Sequence, residues 1–418
     1  MFYHPEAGAL WERMITDILV NKLGFRHTTH ERNLYFGSID GKEVLACRQV
    51  DDFASGAKDK PIAEKFITLV QKYVKAEFEG MGIETGEGLY QRFNGIDIFQ
   101  TRNYIKVGCE SYIDRMLQTH GWESPKHKDP PNLVPIQPSI TDRLMTLVGP
   151  TEHSPEAKAL AHRFGFSYRN LLGELVYAYV ICRLDIGYAV CFLSRFSATP
   201  HEEHYSALKN VCRYLRAHKS WGILYQRPSP LEDLPDVDFE YLEDDPNLPS
   251  FPTALRDELL ATLDAAHGTD RATRRSVTGL VVFYCLAAIA WKSRLQTLVA
   301  TSSTEAEFYA AVVCAKIVKY LRYVFFELDA LRPGPTTMFI DNQAALNMIN
   351  ERRPTPRARH IEIQHYAIQE WRAQNDIVMR HLPGVMNNSD DLTKPLGCVL
   401  HSRHARRSMG HYKVDPPD

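Results

Sequence analysis

The sequence predicts an α/β protein in three parts: an α+β segment, a helical middle, and a mixed sheet flanked by helices. Three observations carry this reading. Residues 255–397 alternate strand-length apolar runs with helical ones, the pattern of a sheet covered by helices on both faces. Residues 166–217 place apolar side chains at three- and four-residue spacing, as packed helices do. Between them runs Gln226 to Ala254, QRPSPLEDLPDVDFEYLEDDPNLPSFPTA, too rich in proline and acid to continue a helix or fill a core. It is read as an interdomain linker.

The elements follow in order. An amphipathic helix over Ala9 to Leu23 opens the chain. Strands at Leu34 to Gly37 and Val44 to Val50 flank Asp40-Gly41, a hairpin signal because both turn positions need positive φ. A helix at Ala63 to Glu77 precedes a second hairpin, GLYQRFNGIDIFQTRNYIKV. After the linker, ELLATLDAA, SVTGLVVFYC and AIAWKSRLQTLVA read as three antiparallel strands. A long helix, STEAEFYAAVVCAKIVKYLRYVFFELDAL, a strand, TMFID, the helices NQAALNMIN and IEIQHYAIQEWRAQ, a last strand, DIVMRHL, and a helical turn, NSDDLTKPL, complete the set.

At 418 residues the chain exceeds one ordinary core, so two or three domains are expected. A hydrophobic fraction of 44% and a charged fraction of 24% are those of a folded globular protein. No apolar run is long enough to cross a bilayer, and MFYHPEAGALWERM lacks the basic and apolar regions of a leader. A cytoplasmic or nuclear location is expected, neither secreted nor in a membrane. The eight cysteines form no zinc-spaced cluster, so they are expected to be reduced, mostly buried and not structural zinc ligands. Net charge is −2, yet ERRPTPRARH and LHSRHARRSMGHYK are basic. Basic clusters near acid-rich sites suit a metal-dependent enzyme acting on phosphodiesters; solvated surface is the alternative.

Several carboxylates stand where such chemistry would need them. Asp264 ends the first strand after the linker, Glu307 opens the long helix, Asp341 ends the TMFID strand and Asp390 begins the terminal turn. Each has a local alternative: Asp264 and Asp341 as turn formers, Glu307 as a capping box with Thr304, Asp390 as favourable charge at a helix start. Jointly they match the converging acids that a two-metal site requires. Asp51 and Asp52, in CRQVDDF, suit a divalent cation at a strand end or an Asp-Asp turn. His360, Glu362 and His365 resemble a zinc motif, but the two histidines are five apart, and one helix face needs three or four. Packing or substrate contact is the better reading there, and His381 is read as structural.

RRSVTGLVVF, AIAWKSRLQTLVATSSTEAEFYAA, IDNQAAL, RHIEIQHYAIQE and NNSDDLTKPLG resemble the successive motifs of the RNase H domain in copia-type LTR retrotransposon Pol polyproteins. LWERMITDILVNKLGF, CRQVDDF, FNGIDIFQTRNYIKV and the helical run from Tyr168 to His218 resemble the later part of the same family's reverse transcriptase and its connection. The resemblance covers nearly the whole chain except the acidic linker and the C-terminal tail. It implies a partial reverse transcriptase palm and thumb region at 1–125, a connection at 126–226, a linker at 227–254, an RNase H-like domain at 255–397 and a tail at 398–418, with the tail's end expected to be disordered.

By that resemblance, Asp264, Glu307, Asp341 and Asp390 match the four metal-binding carboxylates, which would hold two Mg2+ ions and cleave the RNA of an RNA–DNA hybrid. Counting from Thr393-Lys394 favours Asp390 over Asp391. Arg352, Arg353, Arg357 and Arg359 would grip the nucleic-acid backbone. Asp51 and Asp52 match two of three polymerase carboxylates. The third belongs to an upstream motif, so polymerase activity is expected to be lost unless an upstream Pol segment is a partner. Ala266 and His267 stand where the family has Asp and Trp, and Gln49 where it more often has Tyr. The alternatives are a catalytically inactive remnant that at most binds nucleic acid, and a different nuclease on the same fold.

Overall fold

The computed structural model describes residues 6–57, 59–77, 80, 82–124, 133–242, 258–351 and 362–412. It divides into two compact units: Met1–Glu84 with Gln91–Asn94 and Lys319–Leu331, and Thr85–Tyr90 with Gly95–Val318 and Arg332–Asp418.

In the first unit, α1 (Ala7–Thr16) widens into a π-helical turn at Asp17–Lys22. Four antiparallel strands follow in sequence order: β1 (Arg26–His27), β2 (Leu34–Ile39), β3 (Lys42–Gln49) and β4 (Asp52–Ala57). Asp40 and Gly41 take φ of 52° and 76° at the β2–β3 turn, the primed geometry that matches strand twist. Helix α2 (Lys60–Gln71) carries Pro61 in its first turn, where the missing N–H has no helical partner to lose. Phe25, Tyr35, Val44, Phe66 and Val70 are buried between helices and sheet.

The two further sheets lie mainly in the second unit. Strands β5 (Ile83–Thr85), β6 (Gly88–Phe93), β7 (Ile96–Gln100) and β8 (Tyr104–Gly108) form a meander. Helices α3 (Glu110–His120), α4 (Pro138–Leu144), α5 (Pro155–Phe164), α6 (Tyr168–Ile181), α7 (Gly187–Ser194) and α8 (Glu202–Ala217) then lead to β9 (Ile223–Gln226), which returns to pair antiparallel with β8. The second sheet contains β10 (Leu260–Ala266), β11 (Val277–Tyr284) and β12 (Ala287–Leu295), antiparallel to one another. Helix α9 (Ser303–Glu327) leads to β13 (Thr336–Ile340), parallel to β10. Helices α10 (Gln343–Asn350) and α11 (Glu362–Ala373) precede β14 (Ile377–His381), parallel to β13. The order β12-β11-β10-β13-β14 is the mixed, helix-flanked sheet expected from the sequence. Among the described residues the fold is 43% helical and 22% strand, with no closed barrel.

Two expectations need correction. Residues 398–408, read as the start of a tail, form α12 (Cys398–Ser408), with His401, His404 and Arg407 buried. Met409 and Gly410 then lie against β9, whose Leu224 N–H donates to the Met409 carbonyl at 2.8 Å. The described part of the segment read as an interdomain linker, 227–242, is itself packed on the second unit. Arg102 bonds Asp236 at 3.2 Å, Phe239 packs on Tyr104 and His411, and Leu242 bridges to Tyr412. Helical and sheet residues of this unit share one core: Leu175, Ile186, Phe192 and Leu208 lie with Phe283, Phe339, Met386 and Met409. None of the eight cysteines is joined in a disulfide; four are buried and Cys398 is exposed.

Candidate metal centre

Asp264 sits in β10 opposite Gly279 of β11. Asp341 follows the end of β13, the parallel neighbour of β10. Glu307 lies in the second turn of α9 and accepts from the Ala265 N–H at 3.1 Å. Three separate elements therefore bring oxygens of Asp264, Glu307 and Asp341 within 4.8 Å of one another. Asp264 and Glu307 are each only 4% exposed.

The local alternatives for these acids are filled by their neighbours. The α9 start is capped by Ser302, whose Oγ accepts from the Glu305 N–H at 3.2 Å, and Glu305 in turn accepts from the Thr301 N–H and hydroxyl. The capping pair is Ser302 with Glu305, two residues before the expected Thr304 and Glu307. Asn342, not Asp341, caps α10 by accepting from the Ala345 N–H at 3.0 Å. Asn387, not Asp390, caps the 3₁₀ turn Asn388–Leu392. At the starts of these helices the capping residues are thus Ser302, Asn342 and Asn387, and not Glu307, Asp341 or Asp390.

Asp390 reaches the same cluster from that 3₁₀ turn. Its Oδ2 is 2.9 Å from Lys394 Nζ, which is 4.0 Å from Asp264 Oδ2. Thr393 donates its hydroxyl to Asp264. Asn387 donates to the Leu263 carbonyl at 2.8 Å, and Ser389 and Thr262 hydroxyls meet at 2.8 Å, so the turn is stitched to β10 at the two residues before Asp264. Its neighbour Asp391 points elsewhere, to His401 of α12. Sequence reasoning missed the role of Lys394, though its spacing four residues after Asp390 is the usual one for a pair on a helical turn.

The electrostatics are those of crowded anions. Burial, followed by the charges of Asp264 and Asp341, pushes the Glu307 carboxyl up to about 10. Burial and Asp264 push Asp390 up to about 8, against the pull of Lys394. Asp341 is raised for the same two reasons. Glu307 Oε2 and Asp390 Oδ1 are buried with no hydrogen-bond donor among the described residues. Buried anionic oxygens lacking donors and converging from several elements are what a hard divalent cation compensates. The donor set, all carboxylate oxygen, fits Mg2+ or Mn2+ rather than a soft metal.

The other candidates sit apart from this cluster. Asp51 and Asp52 are exposed at the β3–β4 turn, where Val50 takes φ of 58° and Gln49 pairs with Asp52. Trp11 and Arg48 both donate to the Val50 carbonyl, at 2.8 and 3.0 Å, and hold the tip. Among the described residues the two aspartates join no group of three potential metal ligands. His365 is buried, bonded to the Met348 carbonyl at 3.1 Å and stacked on Phe308, which makes it a packing residue joining α11 to α10. His381 bonds the Asp341 carbonyl at 3.1 Å. Arg352, Arg353, Arg357, Arg359 and His360 lie outside the described residues.

No protein-family profile matches the chain. In sequence it is 26% identical over 353 residues to the retrovirus-related Pol polyprotein from transposon TNT 1-94 of Nicotiana tabacum, covering 84% of this chain and 23% of that protein. It is 24% identical over 314 residues to the putative transposon Ty5-1 protein YCL074W of Saccharomyces cerevisiae, covering 74% of this chain and 85% of that one. The chain thus spans less than a quarter of the Nicotiana polyprotein. Among solved structures it resembles LC11-RNase H1 in complex with an RNA/DNA hybrid, at 14% identity and a TM-score of 0.26, over 32% of this chain and 94% of that one.

Proposed function

We propose, from the chain's similarity to the retrovirus-related Pol polyproteins of copia-type transposons, that residues 255–397 form an RNase H-like domain that hydrolyses the RNA strand of RNA–DNA hybrids. Asp264, Glu307, Asp341 and Asp390 are the proposed divalent-cation ligands. The observation that carries this is the convergence of three buried or half-buried acids from separate elements, none of them needed for capping.

Two Mg2+ ions bound there would supply charge neutralisation at the scissile phosphate and activation of an attacking water. The residues of the chain do the rest. Thr393 fixes the orientation of Asp264, and Lys394 holds Asp390 and offsets part of the negative charge. A carboxyl raised like that of Glu307 is protonated at neutral pH until a cation displaces its proton. Hybrid recognition would rest on helix shape and the 2′-hydroxyl rather than on base sequence. On the same footing we propose that the chain alone does not polymerise DNA, because Asp51 and Asp52 join no three-acid group among the described residues.

The test is incubation of the purified chain with a labelled RNA–DNA hybrid and Mg2+, beside Asp264→Asn. RNA cleavage that disappears in the variant is the expected result. A folded wild type that binds hybrid without cutting it would show a remnant, and faster cleavage of plain duplex DNA would show another nuclease. Primer extension in the same preparation is expected to be absent.

A further inference from the structure

A chain of buried polar groups runs from the helical part of the second unit to the turn that carries Asp390. Arg183 Nε and Nη2 donate to both oxygens of Asp185, at 3.0 and 2.6 Å. Tyr214 of α8 hydrogen-bonds Asp185 with its hydroxyl, and the same oxygen lies 3.0 Å from His401 Nε2. His401 Nδ1 meets Asp391. The five side chains are at most 5% exposed. They come from the segment after α6, from α8, from α12 and from the 3₁₀ turn, so four distant stretches meet in one line.

Such a line is costly to bury. Two carboxylates, a guanidinium and an imidazole pay a desolvation penalty that apolar side chains of similar volume would avoid, so net stability alone is a weak reason for it. What it does supply is direction, because each buried member of such a network is held in place by the neighbours it bonds. Its last member, Asp391, is the residue next to Asp390 in a turn only five residues long. The two aspartates leave that turn in different directions, one to His401 and one to Lys394 and Asp264. Fixing the first fixes the second.

We propose that Arg183, Asp185, Tyr214, His401 and Asp391 are positioning residues that aim Asp390 into the acid cluster, making the helical connection a working part of the metal centre. The inference rests on the reading of that cluster as a divalent-cation site. Asp391 is in this account an anchor and not a ligand. Supporting residues of this kind typically change metal affinity by about ten- to a hundredfold when lost. Tyr214 acts through two further links, so the lower end of that range is the expectation.

The test is calorimetric titration of the full chain with Mn2+, without substrate. Tyr214→Phe removes one oxygen from the network. Tyr168→Phe is the control, since its hydroxyl bonds the Leu193 carbonyl at 2.8 Å in the same core and touches nothing in the turn. Weakening of Mn2+ binding by about tenfold in Tyr214→Phe, with Tyr168→Phe like wild type, is expected. Equal binding in Tyr214→Phe and wild type, or equal weakening in both variants, overturns the proposal. Should Tyr214→Phe fail to fold, His401→Gln, which keeps a donor for Asp391, is judged by the same comparison. A wild type that binds Mn2+ but cleaves no hybrid overturns the nuclease reading alone, whereas one that binds no Mn2+ overturns both.

Discussion

Glu307 carries an oxygen that no donor meets among the described residues, and its carboxyl stands near 10 instead of its ordinary 4.5 because of burial and the neighbouring Asp264 and Asp341. The sign of the effect follows from proton counting. Between those two values the folded chain keeps a proton that the unfolded chain has lost, so stability is fullest below about 4.5 and declines as pH rises toward 10. Asp390, ordinarily at 3.8 and here near 8, adds to the decline over its own window. Each group contributes a slope on the order of 1 kcal/mol per pH unit at most. In chelator, the melting temperature should therefore fall from pH 5 to pH 8, and Glu307→Gln should flatten the curve. Mg2+ should raise the melting temperature more at pH 8 than at pH 5, because at the higher pH there is less proton to displace. A flat profile in chelator, unaltered by the variant, would remove the argument. At this scale the convergence of Asp264, Glu307 and Asp341 was foreshadowed by their order along the chain, which resembles a family pattern. Their surroundings were not: Ser302, Asn342 and Asn387 as caps, and Lys394 as the counter-charge, depend on which of several adjacent polar residues turns inward. A sequence of neighbouring Ser, Thr, Asn and Asp leaves that choice to tertiary packing.

Among the elements, the 3₁₀ turn Asn388–Leu392 is the one whose placement decides the site, and β11 makes room for it with Gly279. A Cβ there would stand 2.6 Å from Thr393 Cγ2 and 2.7 Å from the Ser389 carbonyl oxygen. The second contact is with backbone, so the turn must move. Gly279→Ala should cost about 1–3 kcal/mol, as overpacking does, measured by urea denaturation. It should also weaken Mn2+ binding, because Thr393 and Asp390 ride on the displaced segment. Normal metal affinity in a destabilised Gly279→Ala would show that the turn's exact seat is unimportant. The sheet itself was readable from alternation and apolar runs, as was the Asp40-Gly41 hairpin. Helix α12 was not, because CVLHSRHARRS shows almost no apolar stripe. It is buried through paired polar groups: His401 on Asp391 and Tyr214, and Arg407 against Met386. Hydrophobic periodicity has no access to burial of that kind.

For the molecule as a whole, the second unit does not separate into a helical connection and a sheet domain that could each close their own core. Trp291 of β12 donates to the Tyr179 carbonyl at 2.9 Å, Tyr225 donates to the Ala288 carbonyl at 2.7 Å, and His411 bonds the Gly222 carbonyl. The apolar core runs without interruption from Ile113 through Leu208 to Phe283 and Met409. The sequence reading divided this region at a Pro-rich, acidic stretch, which is sound evidence of irregular backbone but says nothing of whether the flanking parts pack together. A chain ending at Gly397 tests the consequence. It lacks α12 and the segment after it, so Asp391 and Tyr214 lose His401, and the Gly222 carbonyl and Leu224 N–H lose their partners. Stripping one partner from a buried ion pair costs about 3–5 kcal/mol, and each unmet backbone group adds about 1–3 kcal/mol. Together these approach the whole stability of an ordinary domain, about 5–15 kcal/mol. The truncated chain should lose the cooperative thermal transition of the second unit by circular dichroism. If it instead melts cooperatively close to the full-length temperature, the residues after Gly397 are an appendage and the shared core has a smaller role than its contacts imply.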